Sequence, residues 1–253
     1  MTRPAPQPQP RIRPRHRARR LRAALAFGGM AFGVMFGAQA QAVAAAQARR
    51  QPVEAHAARW QASLDAFSAE DRAHAPAAGG VLFLGSSSIR LWAGLERSFD
   101  AVPVVVKRGF GGSRLSDCAQ LVERLVWPYK PRLIVLYAGD NDLAEGATPE
   151  QVLASFVEFV QATRVELPDT RIAYLSIKPS PLRAALMPAA TQANALIRAY
   201  SETLPNLDYI DVYSKMLDAQ GRPRAELFGP DALHLSAAGY ALWRAEVASH
   251  LSR

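Results

Sequence analysis

The sequence predicts an α/β fold in which helices cover both faces of a five-stranded parallel sheet. Five short runs of branched and aromatic residues are almost continuously apolar, as strands buried on both faces should be. Helical segments separate these runs, and such alternation is typical of parallel sheets. The chain has 253 residues, of which 49% are hydrophobic and 21% are charged, so it can bury one substantial core.

The elements can be assigned in chain order. Residues 53–67 (VEAHAARWQASLDAF) have the apolar spacing of an amphipathic helix. The predicted strands are VLFLG (81–85), VPVVVK (102–107), RLIVLYAG (132–139), RIAYLSIK (171–178) and LDYIDVY (207–213). The clearest helix follows the third strand, because Thr148 suits an N-cap, Pro149 suits the first turn and Gln151 completes a capping box.

Polar segments that contain glycine follow four of the five predicted strands. These segments are GSSS (85–88), RGFGGS (108–113), GDND (139–142) and, beyond a loop, GPDALH (229–234). In open parallel sheets, functional groups gather beyond the carboxyl ends of the strands. We therefore expect the four segments to form one pocket.

A serine becomes a good nucleophile when a base, usually a histidine, removes its proton. Of the five histidines, only His234 follows a predicted core strand. Asp231 lies three residues earlier and can reach the imidazole to fix its tautomer. The D-x-x-H pattern alone is also compatible with a loop aspartate that acts as a cap and a histidine exposed to solvent.

Acyl transfer also requires N–H donors around a developing oxyanion. The N–H groups of Gly111 and Gly112 and the side chain of Asn141 can supply them. The alternative for GFGGS is a tight turn, and the segment lacks the G-x-G-x-x-G spacing of dinucleotide sites. The alternative for GDND is a loop, or a metal site built from Asp140 and Asp142, although no EF-hand register is present.

The four segments, in this order, resemble the sequence blocks of the SGNH (GDSL-type) hydrolase superfamily over roughly residues 81–251. The resemblance implies a three-layer α/β/α flavodoxin-like fold and ester hydrolysis that needs neither a metal nor an organic cofactor. The residues that it assigns are Ser87, Asp231 and His234 for the catalytic triad, and Ser87, Gly112 and Asn141 for the oxyanion hole.

Two residues depart from the superfamily pattern. Ser86 replaces the aspartate of the G-D-S block, and Lys107 stands where the second block often has asparagine. Neither change removes a group that performs chemistry. Among the three consecutive serines, we expect Ser88 to cap a helix that begins near Ile89, and Ser86 to pack or hydrogen-bond beneath the loop.

The positive charge is concentrated at the start of the chain. The formal charge is +8, and eight arginines lie within the first 22 residues, so the remaining residues carry no net charge. A nucleic-acid partner is therefore not expected. The basic stretch, the uncharged apolar segment and cleavage candidates such as Ala38-Gln39-Ala40 predict an export signal. The alternative is an uncleaved membrane anchor, for which Gly29, Gly33 and Gly37 have a suitable spacing.

The predicted organisation has three parts. Residues 1–48 form a signal peptide or anchor region, residues 49–80 form an N-terminal helix and connecting loop, and residues 81–253 form the hydrolase domain. Cys118 is the single cysteine of the sequence, so it cannot form an internal disulfide. Its position in a helical segment predicts a buried structural thiol.

The sequence thus predicts a periplasmic or secreted serine hydrolase that cleaves carboxylic esters through an acyl-enzyme. Its substrate is a small-molecule ester or an acylated lipid or glycan, and it contacts a membrane only through an uncleaved N-terminal segment. The alternatives are a catalytically silent protein that binds acylated glycans or lipids, and a flavodoxin-like phosphate or flavin binder. Trp92, Phe110 and Tyr137 lie near the motifs and either line an apolar pocket or belong to the core.

Overall fold

A computed structural model of the protein describes residues 58–251. The predicted signal or anchor region, residues 1–48, lies outside the described residues, as do the first five residues of the helix predicted at 53–67. Within residues 58–251, no helix combines the length and the apolar character that a membrane span requires.

Strands and helices alternate along the described residues. The strands are β1 (Val81–Gly85), β2 (Val105–Gly109), β3 (Leu133–Tyr137), β4 (Arg171–Leu175) and β5 (Leu207–Ile210). The α-helices are α1 (58–73), α2 (Ser87–Arg90), α3 (Leu115–Gln120), α4 (Val122–Leu125), α5 (Asp140–Ala144), α6 (Pro149–Glu166), α7 (Met187–Ser201) and α8 (Ala237–Leu251). Short 3-10 helices span Leu95–Arg97, Trp127–Tyr129, Pro181–Leu186, Ser214–Met216 and Ala225–Leu227.

The five strands form one parallel sheet in the order β2-β1-β3-β4-β5, which confirms the predicted fold class. At the carboxyl ends of the strands, Gly85 of β1 is in register with Gly109 of β2 and with Tyr137 of β3. β2 begins at Val105, three residues later than predicted, and Pro103 before it has no N–H to donate to a ladder. The loops after β1, β2 and β3 therefore leave the sheet side by side.

Alternate strand residues pack on opposite faces of the sheet, so the protein has three layers. On one face, side chains such as Leu84 and Leu136 pack against α1, α3, α4, α6 and α7. On the other face, side chains such as Phe83 and Val135 pack against α2 and α8. This α/β/α arrangement is the flavodoxin-like fold that the resemblance implies.

Two local predictions are confirmed. At the start of α6, the N–H of Gln151 donates to the Thr148 hydroxyl (3.3 Å), and the N–H of Thr148 donates to the Gln151 side chain (2.8 Å), which completes the capping box. Cys118 is fully buried in α3, and burial raises the pKa of its thiol well above the ordinary value. A thiol in that environment is structural rather than reactive.

The three aromatic residues near the motifs belong to the core. Trp92 packs against Trp243 of α8, with ring centroids 6.0 Å apart, and Phe110 packs against Trp60 of α1 at 5.0 Å. Tyr137 is fully buried in β3. The contact with Trp60 also makes α1 part of the same core as the sheet.

Candidate active site

Ser87 lies directly beyond the end of β1, in a turn that only glycine permits. At Gly85, φ is +147°, and a Cβ atom would lie 1.8 Å from the carbonyl oxygen of Tyr137. The N–H of Ser86 donates to the same carbonyl oxygen at 3.0 Å. The chain then enters α2, of which Ser87 is the first residue, so its half-buried side chain sits at the edge of the sheet.

A continuous chain of hydrogen bonds joins Ser87, His234 and Asp231. The Oγ atom of Ser87 is 2.9 Å from Nε2 of His234, and Nδ1 of His234 is 2.5 Å from Oδ2 of Asp231. These distances allow the imidazole to take the proton of the serine while the carboxylate holds the proton on Nδ1. The structure therefore brings the three triad residues assigned from the sequence into direct contact.

The loop before α8 fixes the carboxylate of Asp231. Its Oδ1 atom accepts hydrogen bonds from the N–H groups of Leu233 (3.0 Å) and His234 (2.9 Å). The hydrogen bond to the His234 side chain and these two N–H groups lower the pKa of Asp231 below its ordinary value. Asp231 is thus ionised wherever an imidazole base can work.

Two backbone N–H groups are available beside Ser87. Within residues 58–251, neither the N–H of Ser87 nor that of Gly112 has a hydrogen-bond acceptor. Gly112 has φ of +82°, a conformation that favours glycine, and apart from its two chain neighbours no heavy atom of the described residues lies within 4 Å of where its Cβ would be. The end of β2, directly before the loop that carries Gly112, packs closely on α2. A Cβ at Gly109 would lie 2.2 Å from the backbone nitrogen of Arg90.

The side chain of Asn141, in α5, is held at both ends of its amide. Nδ2 donates to the carbonyl oxygen of Ser113 at 2.9 Å, and Oδ1 accepts from Nη2 of Arg183 at 3.0 Å. Within residues 58–251, the second N–H of Nδ2 has no acceptor, and the residue is 9% exposed. N–H groups without an acceptor, such as these of Ser87, Gly112 and Asn141, are the kind of donor that an oxyanion hole requires.

A buried ionic network that the sequence does not predict lies next to Asn141. Lys178 Nζ is 2.9 Å from Oδ2 of Asp140 and 3.0 Å from the hydroxyl of Tyr137, and Arg183 Nη1 is 3.2 Å from the same carboxylate oxygen. Burial alone would raise the pKa of Asp140, but the two cations hold it below the ordinary value. Lys178 and Arg183 follow β4, the one strand whose end carries no glycine-containing motif.

The role expected for Ser88 needs correction, whereas Ser86 is buried, which is compatible with the packing expected for it. The helix begins at Ser87, two residues earlier than the predicted start near Ile89, and the cap position is Ser86. Neither hydroxyl caps the helix, because both are buried and have no hydrogen-bond partner within the described residues. Lys107 points away from Gly112, towards the carbonyl oxygen of Trp92 (3.3 Å) and Glu96 (3.1 Å).

The carboxylates considered as metal ligands have separate partners. Asp140 pairs with cations, whereas both oxygens of Asp142 accept from the N–H of Leu115, at 3.1 and 2.9 Å. Burial raises the pKa of Asp142, and the bond from Leu115 opposes that shift. Asp142 therefore ties α5 to the loop that carries Gly112.

Several solved structures share this fold. A protein of Streptococcus pneumonia is 20% identical over 79% of this chain and 97% of its own, with a TM-score of 0.67. A GDSL-like lipase from Bacteroides thetaiotaomicron is 18% identical (75% and 97% covered, TM-score 0.63). A catalytic mutant of an acetylxylan esterase from Geobacillus stearothermophilus is 16% identical (70% and 96% covered, TM-score 0.55). At these identities the likeness extends to the fold alone.

The family follows from the sequence match. No curated protein matches the chain significantly. The GDSL-like lipase/acylhydrolase family matches residues 77–242, a stretch that includes both the triad contacts and the free N–H donors described above. The chain therefore belongs to the GDSL-like lipase/acylhydrolase family, within the SGNH superfamily that its four segments resemble, and it is an enzyme that hydrolyses esters.

Proposed function

We propose that the protein is a serine esterase that removes short acyl groups, such as acetyl, from carbohydrates outside the cytoplasm. In this proposal Ser87 is the nucleophile, His234 the general base and Asp231 the group that orients it. The observation that supports it most directly is the unbroken hydrogen-bond chain from the Ser87 hydroxyl through His234 to an ionised carboxylate.

The reaction proceeds through an acyl-enzyme. His234 Nε2 takes the proton of Ser87 as Oγ attacks the carbonyl carbon, and the new oxyanion accepts from the N–H donors of Ser87, Gly112 and Asn141. The imidazolium, stabilised by Asp231, gives its proton to the alcohol oxygen as the carbon–oxygen bond breaks. Water then loses a proton to His234 and attacks the acyl carbon, which releases the acid and restores Ser87.

The surroundings of Ser87 favour a short acyl group. Trp92 and Phe110, two aromatic side chains near the motifs, are buried in the core. Surface cavities of about 660 Å³ and 710 Å³ have linings that contain neither Ser87 nor His234. A long acyl chain would need an apolar channel at the nucleophile. The similarity in fold to an acetylxylan esterase is in keeping with a carbohydrate ester as substrate.

The proposal can be tested with a panel of esters. Nitrophenyl esters of increasing chain length, acetylated xylan and lysophospholipids would be compared, and we expect the highest kcat/KM with acetyl esters. Ser87→Ala should lower kcat by about 10³-fold or more. Ser86→Ala is the matched control, because its buried hydroxyl has no hydrogen-bond partner among residues 58–251 and its loss should leave a folded, active enzyme.

The same panel separates the competing functions. A protein that binds acylated glycans without turnover would react neither with the esters nor with a fluorophosphonate probe at Ser87. Preference for long-chain esters would contradict the short-acyl proposal but leave the nucleophile intact. Activity retained by Ser87→Ala would contradict the assignment of the nucleophile.

Export is also a proposal, and it is supported by the basic, then apolar, start of the sequence. Mass spectrometry of the mature protein should give an N-terminus between about Gln39 and Arg49. Recovery of the intact chain from the membrane fraction would indicate an anchor instead.

A further inference from the structure

Arg183 connects the loop after β4 to the oxyanion side of the site. It lies in the 3-10 helix Pro181–Leu186, and its side chain is 21% exposed. Nη2 donates to Oδ1 of Asn141 at 3.0 Å, while Nη1 donates to the carbonyl oxygen of Asp140 at 2.9 Å and lies 3.2 Å from its carboxylate. One guanidinium thus contacts both the side chain of Asn141 and the residue before it.

These contacts allow only one orientation of the Asn141 amide. Its oxygen faces a donor on Arg183, and its nitrogen faces an acceptor, the carbonyl oxygen of Ser113. A rotation of the amide by 180° would place N–H groups against the guanidinium and oxygen against the carbonyl, which loses two hydrogen bonds in a buried setting. The second N–H of Nδ2 therefore has a fixed direction.

The network also places positive charge behind the amide. Lys178 and Arg183 are two cations that share one carboxylate, that of Asp140, so the group carries a net charge of about +1. A cationic donor on the amide oxygen draws electron density from the nitrogen, and this strengthens the N–H as a donor to an anion.

We propose that Arg183 is a positioning residue that holds Asn141 as a preorganised oxyanion donor and increases its strength through its charge. This inference rests on the proposed function, in which Asn141 stabilises the tetrahedral intermediate. In this proposal Arg183 acts through its contacts with Asn141 and Asp140 rather than on the reacting atoms. It acts in the transition state, because the hydrogen bond from Asn141 strengthens only when charge develops on the substrate oxygen.

The test compares Arg183→Met with Arg198→Met in nitrophenyl acetate hydrolysis. Arg198 is the matched control, because it is an exposed arginine of α7 whose contacts, with Glu202 and the ring of Tyr209, do not involve Asn141 or Asp140. Arg183→Met should lower kcat about 10- to 100-fold with little change in KM, since a misplacement of about 1 Å can cost ~10²-fold. Arg198→Met should retain the wild-type kcat, and melting curves should show both variants folded.

A conservative variant separates charge from geometry. Arg183→Lys keeps the charge beside Asp140 but cannot donate to the Asp140 carbonyl and the Asn141 amide at once, as the guanidinium fork does. We expect a kcat between those of wild type and Arg183→Met. If Arg183→Met does not fold, a folded Arg183→Lys with the wild-type kcat would overturn the proposal.

A double-mutant cycle with Asn141→Ala identifies the route of the effect. If Arg183 acts through Asn141, Arg183→Met should lower kcat less than about 3-fold when Asn141 is already alanine. A full, additive loss in that background would overturn the positioning role while leaving the triad intact. A wild-type kcat for Asn141→Ala alone would instead overturn the oxyanion role in the proposed function.

Discussion

Asp231→Asn tests the orientation of the catalytic histidine. Oδ1 of Asp231 accepts two backbone N–H groups of its own loop, so the oxygen of an asparagine should take that place. Its NH2 group would then occupy the position of Oδ2, 2.5 Å from Nδ1 of His234. Rotation of the amide would set NH2 against the two N–H groups and is unfavourable.

In Asp231→Asn, we expect His234 to adopt the tautomer that cannot act as a base towards Ser87. Because the asparagine can only donate to Nδ1, the proton of the neutral imidazole must lie on Nε2, which faces Ser87 at 2.9 Å. Nε2 then cannot take the serine proton. The same exchange in serine proteases lowers kcat about 10⁴-fold, and we expect a loss of similar size here because the loop permits no other arrangement.

The assay is the kcat of nitrophenyl acetate hydrolysis together with the melting temperature. Asp218→Asn is the matched control, because Asp218 also accepts two backbone N–H groups in an exposed turn, those of Gln220 and Arg222. It should retain the wild-type kcat. A kcat for Asp231→Asn above a tenth of the wild-type value, in a folded protein, would refute the tautomer argument.

The lowered pKa of Asp231 predicts how kcat/KM should depend on pH. The hydrogen bond to His234 and the loop N–H groups lower the pKa of Asp231 below its ordinary value of 3.8, so the carboxylate is protonated only below that pH. Any loss of kcat/KM on acidification above about pH 4 should therefore arise from a group other than Asp231.

Three further changes probe the framework around the site. Lys178→Met leaves the buried carboxylate of Asp140 with one fewer cation and should lower the free energy of unfolding by about 3 kcal/mol in urea titrations at pH 7. Because the pKa of Asp140 is lowered in the folded state, this loss should shrink as pH falls below about 4, and a pH-independent loss would contradict the ionic explanation. Gly85→Ala places a Cβ 1.8 Å from the carbonyl oxygen of Tyr137 and should give little soluble protein, so normal solubility and melting would contradict the steric argument. Thr148→Ala removes the cap of α6 and should lower the melting temperature by roughly 2–4 °C, equivalent to about 1 kcal/mol.

The sheet and the main contacts of the site could be predicted because both depend on local patterns. Strands buried on both faces leave continuous apolar runs, and the topology requires that groups at their carboxyl ends meet. Ser87 follows β1 and His234 precedes α8, yet their side chains lie 2.9 Å apart. Segment order and residue type were sufficient to pair them.

Lys178 and Arg183 could not be predicted in the same way. In the segment IKPSPLR they have the appearance of loop cations, which are mostly exposed. Their partner Asp140 lies 38 residues before Lys178, and only the folding of β4 beside β3 brings the three together. The burial of a charge depends on such tertiary pairing, which a single sequence does not display.

The cap assigned to Ser88 was wrong for a more local reason. The close approach of Gly85 to Tyr137 turns the chain so sharply that α2 begins at Ser87. A sequence pattern places a helix boundary only to within a few residues. With the boundary shifted by two residues, the Ser88 hydroxyl turns into the core.

The two halves of the site rest on opposite layers of the fold. The nucleophile and base are joined on the side of α2 and α8, where the hydroxyl of Tyr240 donates to the carbonyl oxygen of Ser88 at 3.0 Å and the ring of Trp243 packs against Trp92.

Asn141 and its support lie on the other side, where Leu143 and Ile177 pack in the cluster formed with α6 and α7. Tyr137 of β3 links the two sides, because its hydroxyl lies 3.0 Å from Nζ of Lys178 while its ring packs against Trp243 with centroids 4.8 Å apart. Substitution of Leu143 or Ile177 should therefore alter the stabilisation of charge more than the contact between the serine and its base, whereas a change at Tyr137 should affect both.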